Sequence, residues 1–133
     1  MKVLFDAIMT KYLASTTLVA ANKGGLHRGR VPDRTKTPYI SMDLLDGRPE
    51  DTFSEYAETY NIQFNIVDSP ESQTDDTVDS IFTLLTALFD YCSLTISGYT
   101  HVIMRRTFSN CFYDTENTLW QYIVQYEVMM QKT

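Results

Sequence analysis

The chain contains 133 residues, of which 44% are hydrophobic and 21% charged, and this predicts a single globular domain over residues 1–133 rather than a disordered chain. No apolar run approaches the ~20 residues of a membrane span, and the first residues lack the apolar segment of a signal peptide, so we expect a soluble protein made in a cytoplasm and no membrane association. The formal net charge of −6 disfavours sequence-independent binding to nucleic acids.

Apolar residues at helical spacing predict a first helix close to the N-terminus. One face of this helix carries Phe5, Ile8, Met9, Tyr12 and Leu13. Residues 15–17 interrupt the pattern, and the glycine pair at residues 24–25 ends it. Residues 26–31 then form a short extended piece. Alternation over residues 39–45 predicts a better strand, which is followed by a turn-rich loop at residues 46–51.

The clearest strand of the chain follows this loop. Its alternation of apolar and polar residues is typical of an antiparallel sheet with one solvated face, and the apolar positions are Tyr60, Ile62, Phe64 and Ile66. After it, Ser69 is the expected N-cap of the main core helix, whose start is acidic and carries Asp75, Asp76 and Asp79. The apolar face of that helix consists of Val78, Ile81, Phe82, Leu85, Leu88, Phe89 and Cys92.

Two further strands are predicted in the C-terminal part, over residues 101–108 and 119–130, with a polar loop between them. The second of them places its large apolar side chains on one face: Trp120, Tyr122, Val124, Tyr126 and Val128. The element order is therefore α-β-β-β-α-β-β. This order predicts an α+β, two-layer domain, in which two helices cover one face of an antiparallel sheet of about four to five strands.

Charge is distributed unevenly along the chain. Residues 1–48 carry eight Lys and Arg against four Asp and Glu, whereas residues 49–133 carry three against thirteen. A chain with a basic and an acidic region attracts copies of itself head to tail, unless folding interleaves the two regions and leaves these charges as solvated loop residues. We expect the basic stretch (Lys23, Arg28, Arg30, Arg34 and Lys36) to contact acidic groups on another subunit or partner protein, and the acidic candidates lie between Asp43 and Asp90. The candidate interface residues named first are Arg28, Arg30 and Arg34 in the basic stretch and Asp46, Glu50 and Asp51 in the acidic loop.

Arg105 and Arg106 are a second candidate for contact with a partner protein. Consecutive residues of a strand face opposite sides of the sheet, so one arginine is expected to point toward the helices and the other away from them. An arginine on the core side commonly pairs with a carboxylate of its own chain. Intrachain pairing and partner contact therefore both remain open for these two residues.

No pattern that supports catalysis, cofactor binding or metal binding occurs in the sequence. Cys92 and Cys111 lack CxxC spacing and are predicted to be buried, reduced thiols. His27 and His101 belong to no ligand cluster. The acidic start of the main helix suits the helix dipole regardless of function, and the glycine pair lacks the context of a phosphate-binding loop. We therefore expect no catalytic residue, no cofactor and no metal.

In their order along the chain, these elements resemble the tail-completion, or tail terminator, proteins of long-tailed bacteriophages and related tail-like particles. The resemblance is carried first by the Leu4-Phe5-Asp6-Ala7-Ile8 helix, the Thr37-Pro38-Tyr39-Ile40 strand and the Tyr60-Asn61-Ile62-Gln63-Phe64 strand. It continues through the helix of residues 80–92 and the Met104-Arg105-Arg106 strand to the closing strand Leu119-Trp120-Gln121-Tyr122-Ile123-Val124-Gln125-Tyr126-Glu127-Val128.

This resemblance implies a structural virion protein rather than an enzyme. Proteins of the family form a ring, commonly a hexamer, that caps the finished tail tube, stops its polymerisation and joins the tail to the head connector. The implied partners are copies of the chain itself, the tail tube protein and the connector or stopper protein, with DNA only as passing cargo. The implied location is the host cytoplasm during assembly and then the tail–head junction of the virion.

Two alternatives to a tail terminator remain open from the sequence. One is another neck or minor capsid protein of the same assembly. The other is a small-molecule-binding or enzymatic α+β domain that uses the cleft between helices and sheet, for which we find no convergent polar groups.

Overall fold

The computed structural model describes residues 2–49, 56–69, 71 and 73–133, except for the side chain of His101. Three helices precede or interrupt the strands: α1 (Lys2–Ala14), α2 (Thr16–Ala21) and α3 (Asp76–Phe89). The strands are β1 (Leu26–Arg28), β2 (Tyr39–Pro49), β3 (Ala57–Asp68), β4 (Tyr99–Asp114) and β5 (Leu119–Lys132). None of the helices in the described ranges is long and apolar enough to cross a membrane.

The five strands form one curled sheet in the order β1-β2-β3-β5-β4. The pairs β2–β3, β3–β5 and β4–β5 are antiparallel, whereas β1 runs parallel to β2. The predicted α+β class is confirmed. The detailed arrangement differs from the predicted two layers with two helices on an antiparallel sheet. Three helices are present, because Ser15 separates α1 from α2. The sheet is curled and mixed, because β1 and β2 run in the same direction.

The core lies between the helices and the inner face of the sheet. The period-2 stripe of β3 and the helical stripe of α3 meet there, so Phe64 stacks on Phe89 with ring centroids 5.5 Å apart. All ten residues of the predicted strand and main-helix stripes (positions 60–66 and 78–89) belong to the core or pack against it. On α1, Leu4 is buried and Leu13 is 61% exposed, so the buried face is rotated from the predicted one.

Several elements differ in length from the sequence prediction. β2 continues through the predicted turn to Pro49, with a bulge between Leu44 and Asp46. β4 extends to Asp114, because the polar residues predicted as a loop pair with β5 from Leu119 to Val124. Residues 105–110 of β4 are exposed on both faces of the sheet, so no alternation of apolar and polar residues marks this part of the strand. The helix α3 begins at Asp76 with Asp75 as N-cap, so the prediction of Ser69 as its cap is wrong.

We expect Phe64→Ala to destabilise the fold by about 3–5 kcal/mol, since truncation removes a fully buried ring and leaves a cavity against Phe89 and Tyr126. Phe108→Ala is the matched control, because this ring is 49% exposed and its loss should cost about 0.5 kcal/mol. Urea denaturation of both variants measures the two values. Equal, small losses would contradict the described core.

Candidate functional site

The basic stretch of the sequence begins at the β1 edge of the sheet and continues to a cleft that Arg34 shares with Tyr39 and Leu119, the first residues of β2 and β5. Arg28 ends β1, and Arg30 and Arg34 follow in the segment that links β1 to β2; all three are exposed. Lys23 and Lys36 are exposed at the two ends of the stretch. The Arg28 guanidinium lies 4.6 Å from the centroid of the Phe5 ring on α1, so this arginine is held against the domain while the others project into solvent. We call these five residues the basic edge.

Glycines allow the basic edge to fold closely against β2. The amide of Gly24 donates to the carbonyl of Pro38 at 2.7 Å, and a Cβ at Gly24 would lie only 1.9 Å from the carbonyl oxygen of Lys36. Gly29 has a φ of +73°, which a residue with a side chain rarely adopts, and its amide donates to Met42 at 2.9 Å. The backbone therefore fixes the position of the arginines, although their side chains form no ion pair with any described residue.

Arg105 and Arg106 face opposite sides of the sheet, as their alternation predicts. On the outer face, Arg105 lies 3.3 Å from Glu127, which is also 4.0 Å from Arg48. On the inner side, Arg106 lies 3.3 Å from Asp90 at the end of α3, and its guanidinium is 5.2 Å from the centroid of the Phe82 ring. Both arginines therefore pair within their own chain, and their contact with a partner stays a prediction.

Asp90 also accepts a hydrogen bond from the Tyr126 hydroxyl at 2.6 Å. Tyr126 is fully buried in the core, and its hydroxyl needs a hydrogen-bond partner there. Asp90 is that partner, and the Arg106 guanidinium balances the negative charge of the Asp90 carboxylate. Burial, reinforced by the hydrogen bond to Asp90, raises the pKa of Tyr126 far above its ordinary value of 10. This arrangement locks the end of α3 to β4 and β5, and it is a structural contact rather than an acid–base site.

Of the acidic candidates in the predicted loop at residues 46–51, the structure describes Asp46. Asp46 lies on β2 beyond the end of β1, where it accepts a hydrogen bond from Asn61 at 2.6 Å. Glu50 and Asp51 lie outside the described residues. A different acidic group stands at the opposite edge of the sheet: Asp75, Asp76 and Asp79 are exposed at the start of α3, and Asp75 lies 3.7 Å from Cys111 of β4. The sequence identified this group as a helix start and included it in the acidic region between residues 43 and 90.

The structure offers little for chemistry. Burial raises the pKa of the Cys92 thiol. Burial and the nearby Asp75 carboxylate raise the pKa of the Cys111 thiol to about 11. Neither cysteine is therefore a reactive thiolate near neutral pH. Both cysteines are free and half-buried. Among the described residues, no three His, Cys, Asp or Glu side chains cluster to hold a metal.

The outer face of the sheet carries a row of carboxamides. Gln125 donates to Gln63 at 2.9 Å, and Gln63 donates to Asn65 at 2.7 Å, so carboxamides satisfy one another across β3 and β5. Three surface clefts have volumes of about 200, 290 and 340 Å³, and the last lies between the basic edge and Leu119. Cavities of this size are at or below the low end for ligand sites.

We expect Tyr126→Phe to lose about 1–3 kcal/mol of stability near pH 8, since the variant cannot donate to the Asp90 carboxylate. Because the folded pKa of Tyr126 is raised, its contribution is fully present below about pH 10 and is lost as the unfolded tyrosine ionises above that pH. Urea titrations near pH 8 and near pH 11 should therefore show a smaller pH-dependent loss for the variant than for the wild type. Identical losses in the two proteins would contradict this assignment.

Two comparisons with known proteins match nearly the whole chain. A chain in the solved structure of the virion of a native gene transfer agent particle has a TM-score of 0.80 at 10% identity, and the alignment covers 95% of this chain and 92% of that one. No curated protein sequence matches significantly. The family model of tail completion protein gp17 matches residues 7–131. The chain therefore belongs to the tail completion protein gp17 family, a family of structural virion proteins.

Proposed function

We propose that this protein forms a ring, a hexamer, at the end of the tail tube, where it stops tube polymerisation and joins the tail to the head connector. The proposal is carried by the family match over residues 7–131. Its partners are copies of the same chain, the tail tube protein and the connector or stopper protein. The protein is made in the host cytoplasm and ends at the tail–head junction of the virion.

The fold likeness to a chain of a phage-like particle supports the same role. A tail-end protein must bind its neighbours rather than transform a substrate, and the described surfaces suit that task. The basic edge presents charges that are free of ion pairs with any other described residue. Membership in a structural family also argues against an enzymatic role for the clefts.

The surface chemistry is compatible with DNA passing through the ring. Positive charge that neutralises phosphates makes binding tight and sequence-independent, which would hold DNA rather than let it slide. The net charge of −6 disfavours such binding, and in this proposal the positive charges of the basic edge contact neighbouring proteins. DNA is therefore cargo in this proposal and not a ligand.

Interrupting the gene in a cell that produces the particle tests this function. Electron microscopy should show tail tubes of abnormal length and heads without tails, because nothing ends the tube or joins it to the connector. Supplying the wild-type chain from a second copy should restore normal particles. Tubes of normal length that fail to join heads would instead indicate another neck protein, and unaffected particles would refute a role in tail completion.

The basic edge provides a second prediction, made with Arg28→Glu, Arg30→Glu and Arg34→Glu together. Circular dichroism should show a folded protein, because the three side chains are exposed and only the Arg28–Phe5 contact, about 0.5–1 kcal/mol, is lost. Ring formation and tail joining should fail at low salt. Each exposed charge pair contributes about 1 kcal/mol or less, so several are needed.

Lys11→Glu is the control, since Lys11 lies in the last turn of α1, in a cleft lined by Ser93 and Thr95, whereas Arg28 contacts Phe5 in the first part of that helix. This control should assemble normally. A folded triple variant that forms rings and joins tails as the wild type does at low salt would exclude the basic edge from the assembly.

A further inference from the structure

The two edges of the sheet carry opposite charge. The basic edge lies at β1, the first strand of the sheet, and β4 is the last strand on the other side. The acidic start of α3 lies beside β4, since Asp75 is 3.7 Å from Cys111. Two turns further along α3, Phe82 stacks on Tyr122 of β5, with ring centroids 4.0 Å apart. Asp76 and Asp79 are exposed and form no ion pair with any described residue.

The β4 edge is also open beyond Met104. Backbone hydrogen bonds from residues 91–94 cover only its first part: Tyr91 donates to Met104, Met104 to Cys92 and Leu94 to Val102. Over residues 105–113, the described chain provides no strand on this side of β4. Such a strand exposes unpaired amides and carbonyls, which are a template for another chain. Phe108 is 49% and Tyr113 38% exposed there, which supplies apolar area.

We propose that subunits associate edge to edge, the open β4 edge and acidic α3 start of one copy contacting the basic edge of the next copy. This inference rests on the proposed ring and names its contact. The occupant is a second copy because one chain carries both complementary surfaces: Arg28 ends β1 at one edge of the sheet, and the start of α3 lies beside β4 at the other edge. A contact between two different patches is heterologous, so it repeats from subunit to subunit and closes into a ring when the rotation allows.

This contact favours one acidic group, the start of α3, within the region between residues 43 and 90 from which the sequence predicts the acidic partner. Asp46 lies on β2, the neighbour of β1, and therefore on the same side of the domain as the basic edge. When two copies meet edge to edge in the same orientation, the β4 side of one copy faces the β1 side of the next. Asp46 lies on the β1 side, so it would reach the basic edge of the next copy only if one subunit were inverted. The start of α3 requires no such turn, because it lies on the far side of the sheet from the basic edge.

Charge exchange between the two edges tests the contact. One variant carries Arg30→Glu and Arg34→Glu, and a second carries Asp76→Lys and Asp79→Lys; circular dichroism verifies that both fold. Each alone should repel its own copies, weakening self-association at low salt by about tenfold or more. The two variants mixed in equal amounts should recover it, since every contact then joins opposite charges again. The variant Asp43→Lys with Asp46→Lys should associate as the wild type does.

Two readouts separate this inference from the proposed function: sedimentation of the protein alone and capping of purified tail tubes seen by electron microscopy. Recovery in the mixture supports the contact, even if tubes are not capped, in which case the proposed function fails alone. The contact is overturned if the wild type caps tubes and neither edge reversal weakens capping. It is also overturned if only the Asp43 and Asp46 reversal abolishes capping. In both cases the proposed function stands. A wild type that neither associates nor caps tubes overturns both.

Discussion

The packing of α3 across β3 and β5 is the interaction on which the other features depend. Phe64 stacks on Phe89 and meets the edge of Tyr126, with ring centroids 5.5 and 5.8 Å apart. With these rings buried, α3 has one position on the sheet. Its end then lies where Asp90 binds Tyr126 and Arg106, and its acidic start lies over Cys111 on the edge strand. The core thus determines which charges appear at the β4 edge.

The sequence predicted what local periodicity determines and missed what depends on partners distant in the chain. The stripes of β3 and α3 identified the core, because apolar positions at the periods of a strand and a helix report the buried face directly. The parallel pairing of β1 was missed, since three residues carry no signal of direction. The extension of β4 to Asp114 was missed because polar residues exposed on both faces look like a loop.

The candidate surfaces show the same division. Alternation correctly separated Arg105 from Arg106, yet their partners Glu127 and Asp90 follow only from strand pairing and from the end of α3. The basic edge was visible as a run of charge. Its acidic counterpart was visible only as a broad region between residues 43 and 90, because Asp75, Asp76 and Asp79 have an ordinary explanation at a helix start. Their position beside an open strand follows only from the packing of α3. For a tail completion protein, that placement matters more than any single residue.

An electron cryomicroscopy reconstruction of the protein bound to the end of a tail tube tests the central claim most directly. The account predicts a closed ring in which Arg30 and Arg34 of each copy face the start of α3 and the β4 edge of the next copy, all contacts being equivalent. A ring whose subunits meet through other surfaces would contradict the proposed contact. A tube end without a ring of this protein would contradict its role as the structure that completes the tail.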